Sequence, residues 1–304
     1  PIQSNINKFI NNGGFMAQFG FVRAFLVFIG LIFSFSSAVQ AQIYNGTTLK
    51  PAPLSDLVNS IKPGSVVIIG EMHGLQPVHD QQMEILNAIK ATGINVSVGM
   101  EFFNYTDQSI ITDYRAGVID EAAFLKAISW GGFEFGLYRD QLLFGEMGLG
   151  INLTRDVTKV ISKQGLAALT PEQNKLLPPN FTIGRDSYRQ RFFQAMGHPV
   201  PVASLENYFV AQSAWDDTMA WQTVQFQKQH PDHVFVIIVG EFHVQYGGGL
   251  PNRIKARLAQ ENLPENIVTV SQVYTDGMTE QDIQDSLQSS VEEGPRADFI
   301  MLSK

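Results

Sequence analysis

Five apolar runs rich in β-branched residues, each closed by turn residues, punctuate the chain and predict strands. They cover residues 65–69, 95–99, 234–239, 266–273 and 298–302. Two weaker candidates lie at 149–153 and 200–204. Between the strands the apolar spacing switches to a helical period. Pro77 stands where a first turn would start, and Met83, Leu86 and Ile89 follow at helical intervals. Strands alternating with helices predict an α/β fold, a mainly parallel sheet covered by helices on both faces. The stretch from about 165 to 230 breaks the alternation. It is Pro-rich at first, then carries a run of helix length without Gly or Pro, and reads as a helical insertion covering part of the sheet's edge.

The N-terminal pattern is different. From Met16, Arg23 precedes an apolar run over residues 24–35, and small residues follow, with Val39 and Ala41 placed as a signal peptidase reads them. That order predicts a signal peptide over 16–41, cleaved before Gln42, with residues 1–15 as an upstream segment. The other reading is a transmembrane anchor, but the run is short for a hydrocarbon core of roughly 30 Å. The expectation is an exported, periplasmic protein with one domain over 42–304 and no stable membrane span after cleavage.

Composition narrows the chemistry. The 304 residues carry a formal net charge of -8, so no basic footprint for nucleic acid exists. Cysteine is absent, which excludes disulfides, thiolate ligands, a Cys nucleophile and a lipid anchor on Cys. There is no G-x-S-x-G nucleophile elbow.

Two strand-end turns repeat one another. Residues 66–73 read VVIIGEMH and residues 236–243 read VIIVGEFH. Ligands of open parallel sheets bind where strands end at their carboxyl edges. If the two strands lie close, Glu71, His73, Glu241 and His243 face one cavity. Such a set suits a divalent metal or a general acid/base pair. Each Glu alternatively orients its own imidazole from behind. A third strand ends GMEFF and brings Glu101 toward the same edge. His79 falls on the apolar stripe of the first helix and is a weaker site candidate, whereas His230 and His233 flank Pro231 and read as solvated.

With these motifs in place, GEMHGLQPVHDQQ, GMEFF, NLTRDVTKVISKQGLAALTPEQNKLLPP, AQSAWDDTMA and VGEFHVQYGGGLPNRI resemble the ChaN-like haem-binding uptake family of the Tiki/erythromycin-esterase superfamily. The resemblance runs from about residue 66 to 273, and the closing ADFIMLSK also fits. It implies one exported α/β domain with a helical insertion, serving haem or iron acquisition. Members are often lipoproteins, and the missing Cys departs from that. Enzymatic relatives in the superfamily use paired Gly-x-x-His motifs for metal-dependent or His/Glu-assisted hydrolysis. By that resemblance the catalytic positions are Glu71, His73, Glu101 and His243, with Glu241 outside the shared pattern.

Haem requires an apolar slot, an axial donor and cations for its propionates. In the insertion Tyr188, Phe192 and Met196 recur every fourth residue, among Arg185, Arg189 and Arg191. Tyr188, Tyr208 and His198 are the candidate axial ligands and Arg185 the candidate propionate partner; the same stripe also reads as plain helix core. A haem wedged between two copies would make a homodimer part of the site. The GGGLP turn at 247–251 reads as simple helix initiation or as an anion loop. Asp216 and Asp217 read as a polar helix face or a lid.

Overall fold

The computed structural model describes residues 42–196 and 201–304. The expected signal peptide, the segment before it and His198 lie outside the described residues.

One seven-stranded sheet organises the chain. Its strands are β1 (Gln42–Asn45), β2 (Val66–Glu71), β3 (Val96–Asn104), β4 (Gly148–Asn152), β5 (Val234–Gly240), β6 (Ile267–Tyr274) and β7 (Phe299–Ser303). The spatial order is β1-β7-β6-β2-β5-β3-β4, with only β1 antiparallel to its neighbour. The helices in the first half are α1 (Leu54–Asn59), α2 (Gln76–Lys90), α3 (Gln108–Arg115), α4 (Glu121–Ala127) and α5 (Gly136–Leu143). The insertion supplies α6 (Arg155–Gln164), α7 (Pro171–Asn174), α8 (Asp186–Met196) and α9 (Val202–Gln229), and α10 (Leu250–Gln260) and α11 (Glu280–Leu287) follow.

The sheet is buried on both faces, which explains the unbroken apolar runs of β2 and β5. Val67 and Ile69 pack with Ile85, Leu86 and Ile89 of α2 on one face. Val66 and Ile68 pack with Met219, Ala220 and Val224 of α9 on the other. The insertion therefore covers a face of the sheet with α9, where an edge was expected. Residues 202–204 open α9 and form no strand. Pro201 sets a helix-entering backbone there, and the apolar residues that follow are consumed by helix packing.

Two more expectations change. β3 continues past Gly99 to Asn104, so Glu101 stands in the strand itself. His230 and His233 are half-buried against Phe226, and His233 Nδ1 lies 3.0 Å from the Ser97 hydroxyl. The ring of Phe226 gives their apolar faces a partner, so they are not simply solvated. The GGGLP turn serves helix initiation, with Gly249 at φ +63 and Pro251 in the first turn of α10.

Candidate functional site

The repeated turns meet because β2 and β5 are hydrogen-bonded neighbours in register, Gly70 opposite Val239 and Glu71 opposite Gly240. Both glycines are needed for close approach. A Cβ on Gly70 would lie 2.6 Å from a Glu241 carboxylate oxygen and 3.1 Å from the Glu241 backbone. A Cβ on Gly240 would lie 2.9 Å from His73 Cε1 and 3.4 Å from Glu101 Oε2. Gly240→Ala is accordingly expected to cost about 1–3 kcal/mol of stability. It should also displace the His73 ring from Glu71. Denaturant unfolding reads the first effect, and a structure of the variant with an unmoved imidazole would refute the second.

One half of the site is built on β2 and α2. His73 Nδ1 donates to Glu71 Oε1 at 3.0 Å, and the imidazole is about one-third exposed. Gln82 donates to the other Glu71 oxygen at 2.5 Å, and the Tyr138 hydroxyl donates to Oε1 at 3.4 Å. Phe102 and Phe133 close on the ring of His73. Burial pulls the His73 pKa down, but the hydrogen bond to Glu71 and the charges of Glu101 and Glu71 outweigh it, and the net shift is upward. His79 lies beneath, 3.8 Å from Glu71 Oε2, and burial lowers its pKa in spite of that carboxylate.

The other half joins β3, the turn after β5, and α9. Glu101 Oε2 accepts the Gly240 backbone N–H at 2.6 Å, and Oε1 stands 3.4 Å from His243 Nε2. The opposite edge of that ring is met by Asp216, with Nδ1 to Oδ1 at 2.6 Å. Tyr188 donates to Asp216 at 3.1 Å, and Gln212 donates to the Tyr188 oxygen at 3.0 Å. Burial opposes charge on His243, yet Asp216 and Glu101 push its pKa up to about 10. Burial likewise opposes ionisation of Glu101, but His243, the Gly240 N–H and His73 bring it down to about 2. Burial lifts Asp216 above its ordinary range against the pull of His243 and Tyr188. The result is an alternating chain of acids and imidazoles across three strand ends.

The structure thus unites Glu71, His73, Glu101 and His243. Glu241 is adjacent but faces the other way: Ser271 donates to it at 2.5 Å and Arg296 pairs with it at 2.9 Å. Burial raises Glu241 to about 7 even against the Arg296 charge. Among the described residues no three His, Asp or Glu side chains converge as a metal-ligating set. The physical reason is prior engagement, of Glu71 by Gln82, of Glu241 by Arg296 and of His243 Nδ1 by Asp216. A cleft of about 630 Å³ opens above these residues, walled by Met72, Phe192, Met196, Phe242 and Met278, with Tyr274 and Arg296 on its border.

The haem candidates of the insertion are placed differently. Tyr188 is fully buried behind His243, and burial together with the Asp216 charge raises its pKa well above the ordinary value, holding the phenol form. Tyr208 packs against the Tyr188–Phe192–Phe209 cluster. Arg185 donates to the Tyr246 carbonyl and pairs with Glu293 at 3.1 Å. Sequence reasoning missed Gln82, Gln212, Tyr138, Tyr274 and Arg296 altogether, and weighed Asp216 only as a helix face or lid. The one signal available was Gln212 and Asp216, polar residues one turn apart on a helix otherwise built for burial.

A family model described as haem-binding uptake, Tiki superfamily, ChaN, matches residues 57–254. No curated protein matches. Among solved structures, a ChaN of Campylobacter jejuni described by its cofacial haem binding aligns at TM-score 0.63 and 18% identity, covering 87% of this chain and 97% of that one. The type III effector HopBA1 aligns at TM-score 0.42 and 12% identity over 88% and 99% of the two chains. The erythromycin esterase EreC aligns at 0.38 and 10% identity over 73% and 72%.

Proposed function

The chain belongs to the haem-binding uptake family of the Tiki superfamily, the ChaN family, and from that premise we propose that it is an exported haem-binding protein serving haem or iron acquisition. The supporting observation is the strand-end cleft. Its volume of about 630 Å³ falls in the range of small-molecule and cofactor sites, and its walls are mostly apolar. Met72 and Met196, among its lining residues, are 54% and 41% exposed and add accessible apolar surface to the cleft.

The cleft suits a porphyrin in volume and donor type. Axial donors to haem iron are His, Met, Cys and Tyr. His73 and Tyr274 are the His and Tyr side chains that border the cleft with an exposed edge. The carboxylate behind His73 Nδ1 is the usual way to orient a ligating imidazole. Arg185, Arg191 and Arg296 are each already in ion pairs with Glu293 or Glu241, so none of the three is reserved for haem propionates. When bound, haem would supply the iron that is carried. A haem shared between two copies of the chain would make the protein a homodimer.

Titration of the purified protein with haem should give a saturable Soret shift. His73→Ala and Tyr274→Phe identify the donor by its loss, while Tyr188→Phe leaves the shift intact. A wild-type titration without saturation would remove the reading. Export is tested separately, by N-terminal sequencing for cleavage before Gln42.

A second reading is favoured by the opposed shifts of Glu101 and His243, since paired groups pushed apart mark acid–base sites. In His/Glu-assisted hydrolysis His243 would be the fixed cation beside developing negative charge. His73, hydrogen-bonded to Glu71 alone and with an open edge, would take the proton from water. Turnover of an aryl ester lost in His73→Ala supports this reading. Equal rates with and without the protein count against it.

A further inference from the structure

We propose that Asp216, carried into the site by the inserted helix α9, is a positioning residue of the strand-end cluster. It holds His243 protonated at Nδ1 and turns the Nε2 edge of the ring toward Glu101. The assignment rests on geometry. Asp216 Oδ1 is 2.6 Å from His243 Nδ1, and both residues are buried. The other Asp216 oxygen accepts the Tyr188 hydroxyl at 3.1 Å. Gln212, one turn earlier on α9, donates from its amide nitrogen to the Tyr188 oxygen at 3.0 Å and so fixes the hydroxyl that Asp216 accepts. The acid is therefore oriented by Tyr188 through one oxygen and aimed at the ring with the other.

Charge accounting leads to the same assignment. Asp217 turns to the other side of α9, because consecutive helical residues diverge by about 100°, and it is neutralised there by Arg253 and Arg257. Those arginines are not shared with Asp216. Among the described residues, His243 is the cationic group paired with the Asp216 carboxylate. A buried carboxylate without a counter-charge is strongly disfavoured, and a proton on His243 Nδ1 supplies that counter-charge across the short contact. Glu101 faces Nε2 at 3.4 Å with its second oxygen already accepting the Gly240 N–H, which favours a proton on that nitrogen too. His243 is then a fixed imidazolium and not a base. Proton acceptance falls to His73, whose ring is hydrogen-bonded to Glu71 alone and keeps an open edge. The functional consequence rests on the acid–base reading above; the assignment of Asp216 itself does not.

The experiment is proton and nitrogen-15 NMR of the full chain, with His243 signals identified by their loss in His243→Gln. The expected wild-type result is a His243 Nδ1 bearing a proton, seen as a slowly exchanging resonance far downfield of the amides. Asp216→Asn should abolish that resonance and Asp216→Glu should restore it. The proposal is overturned if wild-type His243 carries no proton on Nδ1, a measurement that needs no variant to fold. It is equally overturned if the resonance persists in a folded Asp216→Asn protein. Hydrolysis of p-nitrophenyl acetate separates the two layers. Failure of His73→Ala and His243→Gln to slow it sinks the acid–base reading alone. If those variants do slow it, Asp216→Asn should lower the rate by about tenfold or more, as expected when the fixed cation beside the developing charge loses its partner and orientation.

Discussion

Replacing Asp217 by Ala should lower the stability of the protein by roughly 3–5 kcal/mol, the usual result of stripping one partner from a buried ion cluster. Asp217 is fully buried on α9. Its carboxylate accepts Arg253 Nε at 2.9 Å, two bonds from Arg257 at 2.7 Å each, and the Thr182 backbone N–H at 3.0 Å. Removing it leaves two guanidinium groups, only 6% and 7% exposed, without their counter-charge. It also frees the Pro-rich loop, which Thr182 and the bond from Arg257 to the Pro179 carbonyl hold against α9 and α10. The exposed pair of Lys228 and Glu261, 2.7 Å apart, makes the comparison. Lys228→Ala should change stability by about 0–1 kcal/mol, because solvent screens that pair. Urea unfolding of both variants checks the contrast. An Asp217→Ala loss no larger than that of Lys228→Ala would refute it.

The second large effect is a stability profile that falls away on both sides of mildly acidic pH. His243 is raised from 6.5 to about 10 in the folded state. Its contribution is fully present below 6.5 and is lost as pH rises through about 10. Glu101 is depressed from 4.5 to about 2, so its contribution is present above 4.5 and is lost as pH falls through about 2. Both contributions are complete only between 4.5 and 6.5. The alkaline loss should be on the order of a few kcal/mol, and His243→Gln should flatten that limb and weaken the acid one as well, because the His243 charge is the chief influence that depresses Glu101. Unfolding midpoints measured across the range decide it. An alkaline limb unchanged by His243→Gln would mean that the ring is not held charged.

The sheet and the core of the site were legible for a physical reason. Strands covered on both faces must be apolar at every position, so β2 and β5 stand out without any alignment. The same turn after both runs marked Glu71, His73 and His243, and the third strand end marked Glu101. β1 escaped notice because an antiparallel edge strand of four residues, Gln42–Asn45, carries no continuous apolar run. The residues around 202–204 looked like a weak strand because local composition does not register the long helix they enter.

Local pattern by itself determined which buried segments become the central strands and which four side chains sit at their ends, because burial on two faces writes itself into every residue. Only the tertiary structure decided how those side chains are charged and which partners hold them. The in-register pairing of β2 with β5 turned Glu241 toward Arg296 and away from the imidazoles. The seating of α9 brought Asp216 to His243 and sent Asp217 to Arg253 and Arg257. Two adjacent aspartates are indistinguishable along a chain; on a packed helix they point in different directions and meet different charges.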